Sequence, residues 1–330
     1  MRRRIALFLS LALLVVLTGL ALTWIESDHY IVLPDRARPT DPLVDIPGES
    51  QDGDEGGIYM VDVRVGRANL LERIYPGIHE GAQLLPERVL NPTGVSDRQR
   101  RRSSLNAMSR SQLVAITIAL QELGRDVSVT PAGAEVTLVV PGAPADGVVA
   151  VGDVIVAANG EEIGTIDELQ AAFADVQPGE RVELTVERDE EPTDLVVGTQ
   201  AAGDDPDRAV MGVQVENAED FDFPVDIEID AGGIGGPSAG LAFALDIVDE
   251  LGDEDLSRGR TIVATGELDL EGNVVPIGGA TQKAIGARDA GADIFLVPDG
   301  NFEEARDAVD GLRVVPVSTF SEALDVLREG

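Results

Sequence analysis

The sequence predicts an α/β protein: an α/β sandwich at the carboxy-terminal end, a smaller strand-rich domain before it, and an N-terminal transmembrane helix. Three observations predict this. From Ala209 onward, apolar runs of strand length alternate with stretches of helical periodicity. Across residues 131–199, short strand patterns are separated by Pro- and Gly-bearing turns. Residues 5–25 carry no charge and follow Arg2, Arg3 and Arg4.

Composition excludes several function classes. Of 330 residues, 44 % are hydrophobic but only 4 % are aromatic, so a sizeable core must be aliphatic. The formal net charge of −35 argues against a nucleic-acid partner, which needs a basic face. Such an acidic excess reads as a solvated surface; calcium binding would need a D-x-[DN]-x-[DN]-G loop, and the chain has none. With no cysteine there is no thiol nucleophile, disulfide or Cys-ligated zinc. The two histidines, His29 and His79, lie early in the chain, far from the motifs below. Lys and Arg total 25, yet Lys283 is the only lysine. Arginine keeps its proton near neutral pH, whereas a desolvated lysine can lose it. A single retained lysine therefore hints at a site that needs a deprotonatable amine, or it is retained by chance.

At 1.5 Å per residue, the uncharged stretch 5–25 spans roughly 30 Å, the thickness of a bilayer core. No A-x-A-like cleavage site follows it, which favours an uncleaved signal-anchor over a signal peptide. Residues 1–4 form a basic tail that stays cytoplasmic, placing the remainder outside the cell membrane. Residues 26–57 read as a linker, rich in Pro, Asp, Glu and Gly from position 35. Residues 58–130 read as a region packing on the carboxy-terminal domain: a strand over 58–65, an exposed basic loop over 98–104, and a helix over 109–123 stopped by Gly124.

Within 131–199, the features Pro144-Ala145, Gly152-Asp153-x-Ile155, Asn159-Gly160 and the Pro178-Gly179 turn before the strand at 181–186 resemble a bacterial PDZ domain. The resemblance implies binding of extended peptides by strand addition at a sheet edge. It places the loop for the peptide carboxylate near Ala132, Gly133 and Ala134.

Two stretches carry the chemistry. The first, residues 232–240, reads Gly-Gly-Ile-Gly-Gly-Pro-Ser-Ala-Gly, with Ser238 at the mouth of a helix predicted over 238–251. Free N–H groups and the positive end of a helix dipole suit an oxyanion there, or else a phosphate. It is not a Walker A loop, since no Gly-Lys-Ser/Thr occurs. The second begins Thr265-Gly266-Glu267-Leu268 and continues through Gly272 and Pro276-Ile277-Gly278-Gly279 to Lys283, in the first turn of an alanine-rich helix predicted over 282–290. Dipole and poor solvation both lower the pKa of an amine at such a place.

Together these stretches, within residues 204–330, resemble the proteolytic domain of Lon-type peptidases: a P-S-A-G nucleophile motif, then T-G-E followed by G-x-V-x-P-I-G-G-x-x-x-K. The resemblance implies that Ser238 is the nucleophile and Lys283 the base, that Thr265 positions the amine, and that backbone N–H groups around Gly236 and Ser238, beside Pro237, hold the oxyanion. Anchor, PDZ domain and Lon-like domain together resemble bacterial membrane-anchored PDZ–Lon proteins. The implied activity is an ATP-independent serine endopeptidase acting on unfolded or flexible protein and peptide segments, with no cofactor, metal or nucleotide. Domains of this type often form rings, so the resemblance allows a homo-oligomer. Gly235 stands where many Lon enzymes have an acidic residue, and the Lon ATPase module is absent. The competing reading is a membrane-tethered PDZ adaptor whose Lon-like domain is inert. Whether residues 57–130 join the catalytic fold, with the PDZ domain inserted, is left open by pattern alone.

Overall fold

The computed structural model describes residues 2–48, 56–91 and 94–329. Along the chain come helix α1 (Arg2–Thr23), strands β1 (Glu26–Pro34), β2 (Arg38–Pro39), β3 (Gly57–Met60) and β4 (Val63–Asn69), and helix α2 (Leu70–Ile74). Strand β5 (Gln83–Pro86) and the long helix α3 (Asp97–Glu122) follow, then β6 (Ser128–Val139), β7 (Val154–Ala158), α4 (Ile166–Ala172), β8 (Arg181–Arg188), β9 (Glu191–Gly198) and β10 (Val213–Asp222). The chain ends with α5 (Gly240–Leu251), β11 (Thr261–Ala264), α6 (Ala280–Asp289), β12 (Ile294–Pro298), β13 (Arg313–Val317) and α7 (Phe320–Glu329).

The central sheet has the order β2-β3-β11-β12-β13. Its last four strands are parallel, and β2 closes one edge antiparallel. Both faces of these strands are covered, so alternate residues serve opposite cores. Ile58, Met60, Ile262, Ala264, Ile294 and Leu296 pack with α3, α5 and α7 on one face. Val61, Val263, Phe295 and Val297 pack with Ala280, Ala284 and Ala287 of α6 on the other. Leu241, Phe243 and Leu245 of α5 are fully buried, each such side chain stabilising by about 1.5–3 kcal/mol.

This body is discontinuous in sequence. Strand β3, from the first part of the chain, sits beside β11, with Ile58 opposite Ile262. Between them lies a second sheet of order β9-β8-β7-β6-β10, packed around Ile155, Leu184, Val186 and Leu169. This second unit is thus inserted into the fold built on the central sheet. A third sheet, β4-β1-β5, packs its β1 on α6.

Four expectations are corrected. Residues 26–48 are not a linker: β1 and β2 are sheet strands, residues 44–45 pair with 228–229, and Val44 and Ile46 are core residues. Prolines at positions 34 and 39 gave a linker composition, but proline is tolerated at strand ends and edges; residues 49–55 lie outside the described residues. Residues 98–104 are not a loop but the start of α3, which a Ser96–Gln99 capping box nucleates. The strand expected over 58–65 is two strands broken at Val61-Asp62. Finally, residues 213–222, expected within the carboxy-terminal domain, form β10, which pairs with β6 in the inserted sheet, so that sheet extends from 128 to 222 rather than ending at 199.

Candidate active site

Ser238 and Lys283 come from opposite faces of the central sheet and meet at the carboxyl end of β11, where Thr265 follows directly. The ends of parallel strands are where open α/β folds place their ligands. Ser238 sits two residues before α5, not inside it. The loop reaches it through Gly236, whose φ of +95° is costly for any other residue. The carbonyl of Ser238 accepts from the Gly266 N–H at 2.9 Å and from Thr265 Oγ1 at 3.0 Å, and the Leu241 N–H donates to the Gly266 carbonyl at 3.1 Å. The nucleophile turn and the Thr265-Gly266 turn are therefore stitched together.

Lys283 lies in the first turns of α6 and is 2 % exposed. Its Nζ is 2.5 Å from Ser238 Oγ and 2.9 Å from Thr265 Oγ1. Burial pushes the amine down to about 8, while Asp62 opposes that shift. A buried amine that readily loses its proton, within hydrogen-bond reach of a hydroxyl, is the arrangement of a base and its nucleophile.

The residues around the dyad form an open cleft of about 630 Å³, lined by Asp62, Arg101, Ile234, Glu267 and Ile277 among others. Burial raises the carboxyl of Asp62, against the lowering influence of Arg38, and also raises that of Glu267. None of Asp62, Ser104 and Ser111 was legible as a site residue, because each arrives by tertiary packing from the first part of the chain. Ser104 and Ser111, on α3, fix the nucleophile loop. The Ser104 carbonyl accepts from the Gly236 N–H at 2.7 Å, and Ser111 Oγ donates to the Pro237 carbonyl at 2.7 Å. Gly236 is thus not available as the oxyanion donor assigned to it. Among the described residues, the N–H of Ser238, next to the reacting hydroxyl, has no backbone partner.

The residues expected to hold a peptide carboxylate are elsewhere. Ala132, Gly133 and Ala134 lie inside β6, flanked by β10 and β7, with Ala134 opposite both Asn217 and Ile155. Ala134 is paired on both sides, the Gly133 N–H donates to the Gly164 carbonyl at 3.1 Å, and Ala132 is the bulged residue between Gly133 and Pro131. The open feature of this unit is instead a cleft of about 850 Å³ between α4 and β10, lined by Leu169, Phe173, Met211, Val213 and Val215. Strand β10 ends the sheet order, so its outer edge is unpaired among the described residues. The missed signal was Met211-Gly212-Val213, an apolar-Gly-apolar turn opening a strand, which had been assigned to the catalytic domain. The inserted unit is tied to α3: Arg110 pairs with Glu219 at 2.9 Å and donates to the Asn217 carbonyl at 2.5 Å.

Comparison with known proteins gives the two regions names. Residues 208–329 match the Lon protease (S16) C-terminal proteolytic domain, and residues 135–188 match a PDZ domain. The chain is 36 % identical over 123 residues to Lon protease of Rickettsia bellii, covering 36 % of this chain and 15 % of that protein. It is 36 % identical over 105 residues to Lon protease 2 of Bacillus subtilis, covering 32 % of this chain and 18 % of that protein. A solved PDZ domain of an SdrC-like protein from Listeria monocytogenes is 19 % identical with a TM-score of 0.25, covering 27 % of this chain and 92 % of that one. The chain spans less than a fifth of the length of the Lon proteases it matches. It therefore carries a Lon-protease C-terminal proteolytic domain, of serine-peptidase type, together with a PDZ domain.

Proposed function

We propose that this chain is a membrane-anchored serine endopeptidase that cleaves flexible or unfolded protein segments through a Ser238–Lys283 dyad, without ATP. The observation that carries the reading is the 2.5 Å approach of the buried Lys283 amine to Ser238 Oγ. Neutral Lys283 takes the proton of Ser238 as Oγ attacks a peptide carbonyl carbon. The N–H of Ser238 stabilises the resulting oxyanion. The Lys283 ammonium then gives its proton to the departing amine, leaving an acyl-enzyme. Lys283 next takes a proton from water, whose oxygen attacks the acyl carbon, and returns that proton to Ser238 Oγ as the bond to the acyl group breaks and the peptide acid leaves. Thr265 orients the amine through its 2.9 Å contact. The reading without ATP is supported by the absence of any Gly-Lys-Ser/Thr segment in this chain. The PDZ cleft beside the open edge of β10 suits an extended peptide added as a further strand.

Anchoring is supported by α1, 22 residues long, which is uncharged beyond Arg4 and carries exposed Phe8, Leu9, Leu13, Leu14 and Leu17. Among the described residues, no helix is long and apolar enough to cross a membrane; within α1, the side chains at positions 2, 3, 6, 7 and 15 lie outside those residues. Arg2, Arg3 and Arg4 favour a cytoplasmic amino terminus and an extracytoplasmic catalytic domain.

The test is cleavage of unfolded casein by the full chain in detergent, from pH 6 to 10, beside Ser238→Ala and Lys283→Ala. The expected result is wild-type cleavage that rises as pH passes through about 8, with a loss of about a thousandfold or more in each variant. No cleavage by any of the three, with peptide still bound, would instead point to the inert adaptor or to a peptidase that needs an activator.

A further inference from the structure

Outside α1, the described residues expose eight large apolar side chains, and five of them fall at one place: Trp24 and Ile25 just after α1, and Ile74, Tyr75 and Ile78 at and beyond α2. They are far from marginal cases, with Trp24 87 %, Ile74 68 % and Tyr75 63 % exposed. The turn that carries the last three is held against the end of α1. Helix α2 packs on α1, the Leu70 N–H donates to the Ile25 carbonyl at 2.9 Å, and Arg73 pairs with Asp28 at 2.6 Å.

We propose that this patch is a membrane seat: the face by which the catalytic body rests in the interfacial layer of the bilayer that α1 spans. The inference rests on reading α1 as an anchor. Three observations favour a bilayer over another occupant. First, the patch is continuous with the end of an apolar helix, at the depth where a span leaves the hydrocarbon. Second, it contains Tyr75 and Trp24, the chain's one tryptophan, and these residue types partition to the headgroup level with ring buried and polar edge wet. Third, the chain carries a net charge of −35, which opposes close approach of a second copy. Arg73 is neutralised by Asp28, so the seat is apolar rather than cationic and does not need anionic lipid. Its consequence is orientation, because a body fixed at two points cannot swing freely about a single tether.

The absence of cysteine permits a direct test. Leu13→Cys, Ile74→Cys, Ile78→Cys and Val196→Cys are made one at a time in the full chain. Each is labelled with an environment-sensitive nitrobenzoxadiazole probe and reconstituted in phosphatidylcholine nanodiscs with or without doxyl lipid, the doxyl group carried mid-chain for position 13 and near the headgroup for positions 74, 78 and 196. All four positions are exposed, so the core is untouched. The seat predicts about twofold or stronger lipid quenching at positions 13, 74 and 78 and none at Val196, on the inserted sheet. Quenching at 13 but not at 74 and 78 overturns the seat and leaves the anchor. Failure at 13 overturns both. Excimer emission from pyrene at position 74, without lipid quenching, overturns the seat in favour of a second copy.

Discussion

The PDZ insert and the catalytic body both bury ionisable groups, but they treat them differently. The insert buries Asp153, 1 % exposed, and gives both of its oxygens to Arg188 at 2.7 Å, with the Ala150 N–H as a further donor. The catalytic body buries Lys283 against two hydroxyls, and Asp246 with its Oδ2 left without a partner. A buried carboxylate whose two oxygens are both bonded to a partly exposed guanidinium locks a turn to a strand. Buried groups without a counter-ion have their proton equilibria displaced instead, which is what a catalytic base requires and what a purely structural residue does not. The two regions thus separate burial for architecture from burial for chemistry.

The sharpest way to break this contrast is Lys283→Met, which exchanges the amine for an apolar chain of similar length. If Lys283 is kept for chemistry, activity falls by about a thousandfold or more, yet the protein becomes more stable. The amine's pKa is depressed to about 8 from 10.5, so the folded state binds fewer protons than the unfolded state between those values. The cost of burying the amine is therefore full below about pH 8 and fades toward 10.5. The gain in Tm should be largest at pH 7 and small at pH 10, read by calorimetry on both proteins. A lower Tm at pH 7 would mean that Lys283 is structural.

The opposite outcome is expected in the insert. Arg188→Ala leaves the buried Asp153 carboxylate without its guanidinium partner and should destabilise the PDZ unit by about 1–3 kcal/mol, since a buried acceptor left unsatisfied is costly. Denaturant unfolding should then show an early transition confined to this unit, with casein cleavage at Ser238 retained at low denaturant. A single unshifted transition would show that the pair contributes nothing.

The same contrast explains what was legible in the sequence. The PDZ unit is contiguous, and its hairpin β8–β9 pairs neighbours, so its turns announce themselves locally. Ser238, Thr265 and Lys283 were legible because each lies in a short motif whose spacing survives any packing. The remainder of the catalytic body depends on long-range pairing such as Ile58 with Ile262, which no local pattern encodes. Asp62 therefore looked like one residue of a strand, and Ser104 one residue of a basic loop. The Ser96-x-x-Gln99 capping box was present to be read, but the arginines behind it suggested solvent. Ala132–Ala134 failed for the converse reason: β6 begins at Ser128 and continues past them with a bulge at Ala132, so a supposed loop is the middle of an irregular strand.

Asp246 is the subtler case, because it is buried without a counter-ion and yet lies away from Ser238, on α5 against Thr40. Burial raises its carboxyl well above the ordinary value; the Thr40 hydroxyl opposes this, while Glu250, Asp41 and Asp249 push it further up. For an acid with a raised folded pKa, the folded state binds more protons, so stability is greatest below the unfolded pKa and is lost as pH rises through the window between the two. Asp246→Asn keeps the shape, removes the titration and should raise Tm at neutral pH by about 2–4 °C per kcal/mol gained, with no gain near pH 4. Cleavage per folded molecule should be unchanged, since no contact of Asp246 reaches the dyad. Equal shifts at both pH values would mean that packing, not protonation, sets the effect; a loss of cleavage would move Asp246 from architecture to chemistry and undo the division drawn between the two bodies.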